Sequence, residues 1–237
     1  MRISVCVPMY NESSVIADNV KKVHQYLSEH FGDDFELVVA DDGSVDGSAD
    51  IVTSLGLENT LVVGYPKNMG KGCAVRTAVL ASAGDVVVFT DADLAYGLDV
   101  IEEAVSRLES GEHQMVIASR AKHPKGYEGY TFIRRLASRT YISILALVTG
   151  IRVSDAQCGF KAFSGEEGRE IFSRCVTNNF AFDLEVILVA QKMKLKIYEL
   201  PAMIINHRES KVSVLRDAPR MLREAVKIKK RVKNLHI

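Results

Sequence analysis

Two aspartates separated by one alanine follow an apolar run in the segment DVVVFTDADLAYG, residues 85–97. If the chain stays extended beyond that run, residues i and i+2 point to the same side and the carboxylates of Asp91 and Asp93 converge. Paired carboxylates repel each other, and a proton or a divalent cation relieves the repulsion. The spacing therefore predicts a site for Mg²⁺ or Mn²⁺, completed by substrate phosphates. A turn or cap for the next helix is the alternative interpretation.

Two other polar segments follow apolar runs. In ADDGSVDGS, residues 40–48, Asp41 or Asp42 is a candidate acceptor of hydrogen bonds from a nucleotide base, whereas Asp46 suits a turn or a helix cap. In KNMGKG, residues 67–72, glycines flank Lys71 ahead of a helical pattern. Backbone N–H groups and a cation at such a point can face a diphosphate, although the segment matches neither of the common glycine-rich nucleotide motifs.

The elements that must position these residues alternate between strand and helix. We predict strands at 3–8, 36–41, 61–65, 85–91 and 115–119, and helices at 14–29, 46–55, 71–83, 98–108, 132–149 and 165–173. This alternation predicts an α/β fold, a mostly parallel mixed sheet with helices on both faces. Ligands bind such sheets beyond the carboxyl ends of the strands. Neither a repeat nor a linker divides the chain, so we expect a single domain.

Composition limits the classes of function. Lys plus Arg and Asp plus Glu number 30 each, which argues against nucleic acid as a partner. The four cysteines are widely spaced and fit reduced thiols in a cytoplasmic protein. The N-terminal run resembles a first strand more than a signal peptide. The longest apolar stretch, residues 142–151, is shorter than the roughly 20 residues of a membrane span.

Taken together, these residues resemble the family 2 glycosyltransferases of the GT-A fold, which is Rossmann-like, and among them the dolichyl- or polyprenyl-phosphate glucosyl- and mannosyltransferases. The matching segments run through nearly the whole chain: VPMYNE (7–12), DDGSVDGS (41–48), NMGKG (68–72), DAD (91–93), SR (119–120), DAQCGFKAF (155–163), FAFDLE (180–185) and HRESK (207–211). The DAQCGFK loop resembles the glucosyl branch more than the mannosyl branch.

The resemblance implies a nucleotide-diphosphate sugar as donor and Mg²⁺ or Mn²⁺ as cofactor. It assigns Pro8, Tyr10, Glu12 and Asp41 to the nucleoside, and Asp91 and Asp93 to the metal and diphosphate. The full predicted donor site is Pro8, Tyr10, Asn11, Glu12, Asp41, Asp42, Asn68, Gly70, Lys71, Gly72, Asp91 and Ala92. One departure is Ala95, which stands where the mannosyl branch often carries a glutamine that contacts the metal.

The acceptor side carries cations. A phosphate monoester is largely dianionic at neutral pH and needs no general base, whereas an acceptor hydroxyl does. The predicted acceptor residues are Arg120, Arg134, Ser138, Arg208 and Lys211, since arginine suits phosphate recognition. A solvated helix face is the alternative for Arg134 and Arg135. Asp155 and Asp183 are candidates for orienting the sugar or the arginines, or for acting as bases. The predicted catalytic set is Asp91, Asp93, Asp155 and Arg120.

The end of the chain has a different pattern. Residues 219–233 place apolar side chains at helical spacing among many lysines and arginines. Such a basic amphipathic helix suits an anionic membrane surface, and a helix docked on the domain with a solvated basic face is the alternative. We expect a glycosyltransferase domain at 1–218, with a donor half at 1–120 and an acceptor half at 121–218, followed by this helix at 219–237. The expected location is cytoplasmic and peripheral, at the cytoplasmic face of a membrane.

The predicted function is that of an inverting, metal-dependent hexosyltransferase. It would move a hexose from UDP-glucose or GDP-mannose to polyprenyl or dolichyl phosphate. Two alternatives stay open: a glycosyltransferase with a sugar-hydroxyl acceptor in cell-surface polysaccharide synthesis, and a non-catalytic nucleotide-sugar binding protein.

Overall fold

The computed structural model describes residues 1–206 and 214–236, and only the backbone of 132–134, 137–139 and 214–220. Over these residues the chain forms seven strands and eight helices. The strands are β1 (Ile3–Met9), β2 (Phe35–Asp41), β3 (Thr60–Gly64), β4 (Val86–Thr90), β5 (Met115–Ser119), β6 (Phe160–Ser164) and β7 (Ile197–Pro201). The helices are α1 (Ile16–Phe31), α2 (Ser48–Ser54), α3 (Lys71–Ala81), α4 (Asp99–Glu109), α5 (Phe132–Thr149), α6 (Gly165–Arg174), α7 (Phe182–Lys192) and α8 (Val214–Lys233).

The strands form one sheet in the order β3-β2-β1-β4-β6-β5-β7. Six of them run in the same direction, and β6 lies antiparallel between β4 and β5. Because β6 runs the other way, its first residue lies at the edge where the parallel strands end. The loop before β6 therefore joins the loops that follow β4 and β5 at one edge of the sheet.

Helices cover both faces of the sheet, which explains why the central strands are apolar throughout. Along β1, Val5 and Val7 pack with α1 and α4 on one face, and Cys6 packs with α3 and α7 on the other. Successive side chains of a strand point to opposite faces, so a strand covered on both sides has no solvent-facing position. The predicted fold class, an α/β mixed sheet in a single domain, is confirmed.

Most element boundaries agree with the prediction, and the differences lie in the second half. The pattern predicted neither β6 nor β7 as strands, because Lys161 and Glu199 interrupt their apolar runs. The sheet continues across residue 120, since β6 inserts between β4 and β5. The predicted donor and acceptor halves thus share one sheet.

Helix α8 begins earlier than predicted and docks on the domain. Its residues Ala225, Ile228 and Val232 are 1%, 2% and 4% exposed and join the core formed with α5 and α7. These three apolar side chains of α8 therefore face the protein core. None of the helices in the described part of the chain combines the length and hydrophobicity needed to cross a bilayer. All four cysteines are buried free thiols.

Candidate active site

The predicted site segments meet at the edge of the sheet where the parallel strands end. Thr90, the last residue of β4, pairs with Phe160, the first residue of β6. The N–H of Asp91 donates to the carbonyl of Gly159 at 3.2 Å. A Cβ atom on Gly159 would lie 2.0 Å from Oδ2 of Asp91, so only glycine lets the carboxylate pack there. The antiparallel strand thus sets the DAD segment against the DAQCGF segment.

The predicted nucleoside residues lie together in the loops after β1 and β2. Asn11 has a positive φ of 53°, and its side-chain oxygen accepts the N–H of Val45 at 3.0 Å. Its own N–H donates to Oγ of Ser44 at 2.9 Å. Tyr10 beside it is 44% exposed, which leaves an aromatic ring at the mouth of the site. Glu12 follows in the same loop, and its N–H donates to Oγ of Ser48 at 2.9 Å.

Pro8, Asp41 and Asp46 lie at or next to the loops that follow β1 and β2. Pro8 is buried within β1. Asp41 ends β2, is 9% exposed, and accepts the N–H of Ser44 at 3.1 Å. Asp46 accepts the N–H of Ser13 at 2.9 Å, and hydrogen bonds from the serines lower its carboxyl pKa. The turn interpretation of Asp46 is therefore confirmed, although Gly47 and not Asp46 is the N-cap of α2.

Asp42 binds residues 67–72, which we call the glycine segment. Its carboxylate accepts the hydroxyl of Tyr65 at 2.7 Å and the N–H groups of Met69 at 2.8 Å and Gly70 at 3.0 Å. It is 4% exposed. The carboxylate of Asp42 thus serves this loop, and a contact of Asp42 with the donor stays a prediction.

The glycine segment fits tightly against residues 177–178. A Cβ atom on Gly70 would lie 2.5 Å from the carbonyl oxygen of Asn178, and one on Gly72 would lie 2.4 Å from that of Thr177. Gly70 also has a φ of 102°, which side-chain-bearing residues rarely adopt. Asn68 is exposed at the start of the segment. This close fit places the first residue of α3, Lys71, at the sheet edge with the helix N-terminus beside it.

The carboxylate pair lies on a turn, which corrects the prediction of an extended continuation. Strand β4 ends at Thr90, and the N–H of Leu94 donates back to the carbonyl of Asp91 at 2.9 Å. Leu94 has a positive φ of 52°. The Asp93 carboxylate accepts the N–H of Ala95 at 3.2 Å, and neither aspartate caps α4. The alternation that first suggested convergence therefore does not apply here.

The two carboxylates nevertheless act on one cation, Lys71. Nζ of Lys71 lies 2.5 Å from Oδ1 of Asp91. Burial by itself lowers the pKa of the ammonium, but Asp91, Asp183 and Asp93 outweigh it and raise the pKa above its usual value. A lysine in this setting stays charged at all physiological pH values. The site thus brings one cation and three carboxylates to the end of β4.

The donor set at the turn fits a hard divalent cation. Oδ1 of Asp91 is buried and, within the described residues, has the ion pair with Lys71 but no hydrogen bond of good geometry. Among those residues no three His, Cys, Asp or Glu side chains are grouped to share an ion. One or two carboxylates together with substrate phosphate oxygens are the usual ligands of Mg²⁺. Asp91 and Asp93 would therefore hold the ion only together with the diphosphate of a nucleotide sugar. Alanine at position 95 supplies no further ligand.

Ala92, between the two aspartates, was predicted to contact the donor. Its residue is only 7% exposed, and its carbonyl accepts the side-chain amide of Asn19 at 2.8 Å. That carbonyl anchors the carboxylate turn to α1. The donor contact predicted for Ala92 stays a prediction.

Arg120 and Asp155 form a two-point ion pair beside the turn. Nε and Nη2 of Arg120 donate to the two oxygens of Asp155 at 2.6 and 2.9 Å, and Nη1 donates to the hydroxyl of Tyr130 at 3.2 Å. Burial would raise the pKa of Asp155, but the arginine holds it below its usual value. Asp155 is fully buried. Both oxygens of Asp155 accept from Arg120, which agrees with the expectation that Asp155 orients an arginine, and its catalytic role stays a prediction.

A second buried ion pair was not predicted. Lys161 in β6 is fully buried, pairs with Asp183 of α7, and donates to the carbonyl of Cys158 at 2.8 Å. Burial raises the pKa of Asp183, and Lys161 and Lys71 oppose that rise. Asp183 thus interacts electrostatically with both Lys161 and Lys71. A lysine inside the apolar run GFKAF was the sequence signal for this pair.

The other predicted acceptor residues fall at positions that the structure describes only in part. Arg208 and Lys211 lie outside the described residues, and the side chains of Arg134 and Ser138 are not described. The backbone of α5 is described, and residues 205–206, which precede HRESK, lie against the carboxylate turn. There Asn206 donates its side-chain amide to the carbonyls of Asp93 and Leu94 at 3.2 Å each.

Comparisons with known proteins agree with this architecture. A dolichyl-phosphate beta-glucosyltransferase of Trichomonas vaginalis is 30% identical over 220 residues, covering 88% of this chain and 65% of that protein. Its human counterpart by name is 31% identical over 223 residues, covering 84% of this chain and 66% of that protein. The chain thus spans just under two thirds of these relatives.

A solved structure shares the fold. Glucosyl-3-phosphoglycerate synthase from Mycobacterium tuberculosis, in complex with Mn²⁺, UDP-glucose and phosphoglyceric acid, superposes with a TM-score of 0.69 at 23% identity. The match covers 99% of this chain and 81% of that one, and it shows the GT-A fold. The model of the family described as Glycosyl transferase family 2 matches residues 4–167, more than half of the chain. The chain therefore belongs to glycosyl transferase family 2.

Proposed function

We propose that the chain transfers glucose from UDP-glucose to a polyprenyl phosphate such as dolichyl phosphate. The observation that carries the proposal is the ion pair of Lys71 and Asp91, set at the sheet edge between the glycine segment and Arg120. The relatives named as dolichyl-phosphate beta-glucosyltransferases support glucose and a lipid phosphate. Membership in the family supports a nucleotide-sugar donor.

On the donor side, the loops after β1 and β2 receive the nucleoside, with Tyr10, Asn11, Glu12 and Asp41 as the contacting residues. The diphosphate lies at the N-terminus of α3, where the N–H groups of the glycine segment and the helix dipole favour an anion. Lys71 is close enough to the carboxylate turn to neutralise the leaving diphosphate as its charge develops. Asn68 is exposed at the entrance of the segment and is assigned to the donor.

A bound Mg²⁺ or Mn²⁺ supplies Lewis-acid stabilisation of the leaving diphosphate. Asp91 and Asp93 are the residues that hold it, and the glycine at 159 leaves Asp91 room to do so. The solved neighbour with Mn²⁺ and UDP-glucose supports this choice of cofactor.

On the acceptor side, the phosphate oxygen attacks the anomeric carbon directly, and the configuration there inverts. This needs no general base, because the phosphate is already an anion. The ion-paired states of Asp155 and Asp183 support a mechanism without a base. Among the described residues, three of the roughly five guanidinium N–H groups of Arg120 have acceptors, and we propose that the others bind the phosphate. Arg134, Ser138, Arg208 and Lys211 complete the proposed acceptor set.

The test is a transfer assay with radiolabelled donors and chemically different acceptors. UDP-glucose with Mn²⁺ or Mg²⁺ is expected to label a polyprenyl phosphate at least about tenfold faster than GDP-mannose does, as a misfitted donor costs at least about 1.4 kcal/mol. EDTA is expected to abolish the label. The anomeric configuration of the product, read by NMR, tests inversion.

Two outcomes of the assay contradict the proposal. Label that enters an oligosaccharide hydroxyl but not the lipid phosphate identifies the polysaccharide alternative. UDP-glucose that binds, raising the melting midpoint, without turnover in any arm identifies a non-catalytic binding protein.

We propose that a lipid acceptor is met at the cytoplasmic face of a membrane, through α5 and the outer face of α8. Leu136, Ile144 and Leu147 of α5 are 55%, 40% and 86% exposed, at a spacing that puts them on one helical face. Lys229 of α8 donates to the carbonyl of Val148 at 2.8 Å and joins the two helices. Arg223, Lys227 and Lys233 are exposed on α8, the helix that Lys229 joins to α5. A surface that offers both apolar side chains and cations suits an anionic bilayer.

Replacing Leu147 with aspartate is expected to weaken binding to anionic lipid vesicles about tenfold, because it removes a leucine contact and adds a repelled charge. Vesicle flotation measures the bound fraction. Val45→Asp is the matched control, since Val45 is 85% exposed and lies at the nucleoside loop. An equal loss of binding in both variants, or no binding of the unmodified chain, would remove this surface from the proposal.

A further inference from the structure

A network of buried polar contacts links helix α8 to the glycine segment. Glu185 of α7 is fully buried, and its carboxylate accepts the N–H groups of Val176 at 3.1 Å and Thr177 at 2.7 Å. Arg231 of α8 pairs with the same carboxylate and donates to the hydroxyl of Thr177 at 2.8 Å. One arginine from the last turns of the chain therefore fixes both the carboxylate and the segment that it holds.

The segment 176–179 in turn holds the residues around Lys71. The carbonyl of Asn178 accepts the N–H of Gly72 at 2.7 Å. The side chain of Asn178 accepts Nη2 of Arg76 at 2.9 Å, which ties the segment to α3 as well. The carbonyls of Thr177 and Asn178 lie where Cβ atoms of Gly72 and Gly70 would be. A shift of this backbone therefore moves the glycine segment or leaves a gap beside it.

A cavity separates part of the segment from α8. It has a volume of about 430 Å³ and lies between Met69, the 176–179 segment and α8. Within the described residues, the polar links from α8 to the segment are those of Arg231 and a 2.6 Å hydrogen bond that the side-chain amide of Asn179 donates to Glu224. Because the cavity leaves little packing there, each of these links has a large share in holding the segment against α8.

We propose that Arg231, acting through Glu185, is a positioning residue for donor binding. It fixes residues 176–179, these fix Gly70 and Gly72, and the glycines fix Lys71 beside Asp91. Arg231 does not touch the donor. The effect on binding of the nucleotide diphosphate rests on the proposed function. The structural link from α8 to the glycine segment does not depend on that function.

The test compares Arg231→Met with Lys230→Met, a matched control on the exposed side of the same turn. The methionine at 231 is expected to weaken binding of UDP with Mn²⁺ about tenfold, measured by calorimetry, since one charge-assisted contact has about this effect. The donor KM is expected to rise while the acceptor KM stays within about twofold of the unmodified chain. Arg231→Lys, which keeps the charge, is expected to restore binding to within about threefold.

Hydrogen exchange followed by mass spectrometry reads the link itself. Arg231→Met is expected to speed amide exchange about tenfold at residues 70–73 and 176–178, and Lys230→Met is expected to leave both segments unchanged. Faster exchange confined to α8 and 176–178 would overturn the proposal. If Arg231→Met does not fold, Glu185→Gln serves as the second variant with the same expected pattern. If the unmodified chain does not bind UDP, the proposed function is wrong. The exchange rates at residues 70–73 then still show whether Arg231 holds the glycine segment in place.

Discussion

Replacing Asp155 with alanine is expected to lower the free energy of unfolding by about 3 to 5 kcal/mol, the usual cost of breaking a buried ion pair on one side. Arg120 is only 13% exposed in its side chain and keeps its charge whatever the pH near neutrality. Without the carboxylate, its Nε and Nη2 groups lose their acceptors in a place that water reaches poorly. For a chain of this length the melting midpoint is expected to fall by about 6 to 20 °C.

The control for this prediction is an ion pair at the surface. Glu103 and Arg107 lie 3.7 Å apart on α4 with side chains about half exposed, and Glu103→Ala is expected to cost less than about 1 kcal/mol. Chemical denaturation with calorimetry measures both changes. A loss below about 1 kcal/mol in Asp155→Ala would show that Arg120 finds another partner, and the positioning role of Asp155 would be wrong.

The effect of Asp155 also has a defined pH dependence. The pair with Arg120 depresses the carboxyl pKa of the folded protein below its usual value of 3.8. Its stabilisation is therefore present above the pKa of the unfolded chain and is lost as the pH falls through the folded pKa. The difference in stability between the unmodified chain and Asp155→Ala is expected to shrink only in that acidic range.

Replacing Asp93 with alanine is expected to reduce the proposed glucose transfer by about 10³-fold or more, because in the proposed mechanism the metal loses one of its two protein ligands and with it several kcal/mol of transition-state stabilisation. The fold is expected to survive. Loss of the hydrogen bond that the Asp93 carboxylate accepts from the N–H of Ala95 costs about 1 kcal/mol. The assay measures initial rates at saturating UDP-glucose and polyprenyl phosphate over a range of Mn²⁺ concentrations.

Two comparisons make this prediction specific to metal binding. Asp93→Glu keeps a carboxylate and is expected to retain part of the activity at high Mn²⁺, whereas Asp33→Ala, at an exposed turn, is expected to have no effect. Electron paramagnetic resonance of Mn²⁺ with UDP reports ion binding without turnover. Metal-dependent transfer within about tenfold of the unmodified rate in Asp93→Ala would remove this carboxylate from the mechanism.

The first half of the fold could be predicted almost element by element, whereas in the second half the helices α5 and α6 were predicted and the strands β6 and β7 were not. Strands β1 to β5 are short, apolar runs with helical patterns between them, so local periodicity identifies them. β6 and β7 contain Lys161 and Glu199, each held by a tertiary partner. Glu199 accepts the N–H of Ser154 at 2.8 Å, and this contact supports the loop that leads to Asp155. A charged residue inside a strand looks like a loop until its partner is known.

The sequence predicted which strand-end residues gather at one edge of the sheet, but not which of their side chains bind other protein groups. Tyr10, Glu12, Lys71 and the two aspartates of the turn do lie at one sheet edge. Asp42 and Asp155, in contrast, have carboxylates that serve other protein groups. Sequence identifies a carboxylate at a strand end, but it does not say whether a backbone N–H or an arginine already occupies it.

The amino-acid sequence was enough to predict the alternation of strands and helices, the polar strand ends, and hence the edge of the sheet at which we propose that a phosphate-bearing donor binds. The antiparallel insertion of β6, the turn at Asp91, the ion pairs Arg120–Asp155 and Lys161–Asp183 and the docking of α8 depend on the packed fold. The reason is physical: hydrophobic periodicity acts between near neighbours in the chain, whereas the partner of a buried charge depends on strand order and on distances set by the whole packed domain.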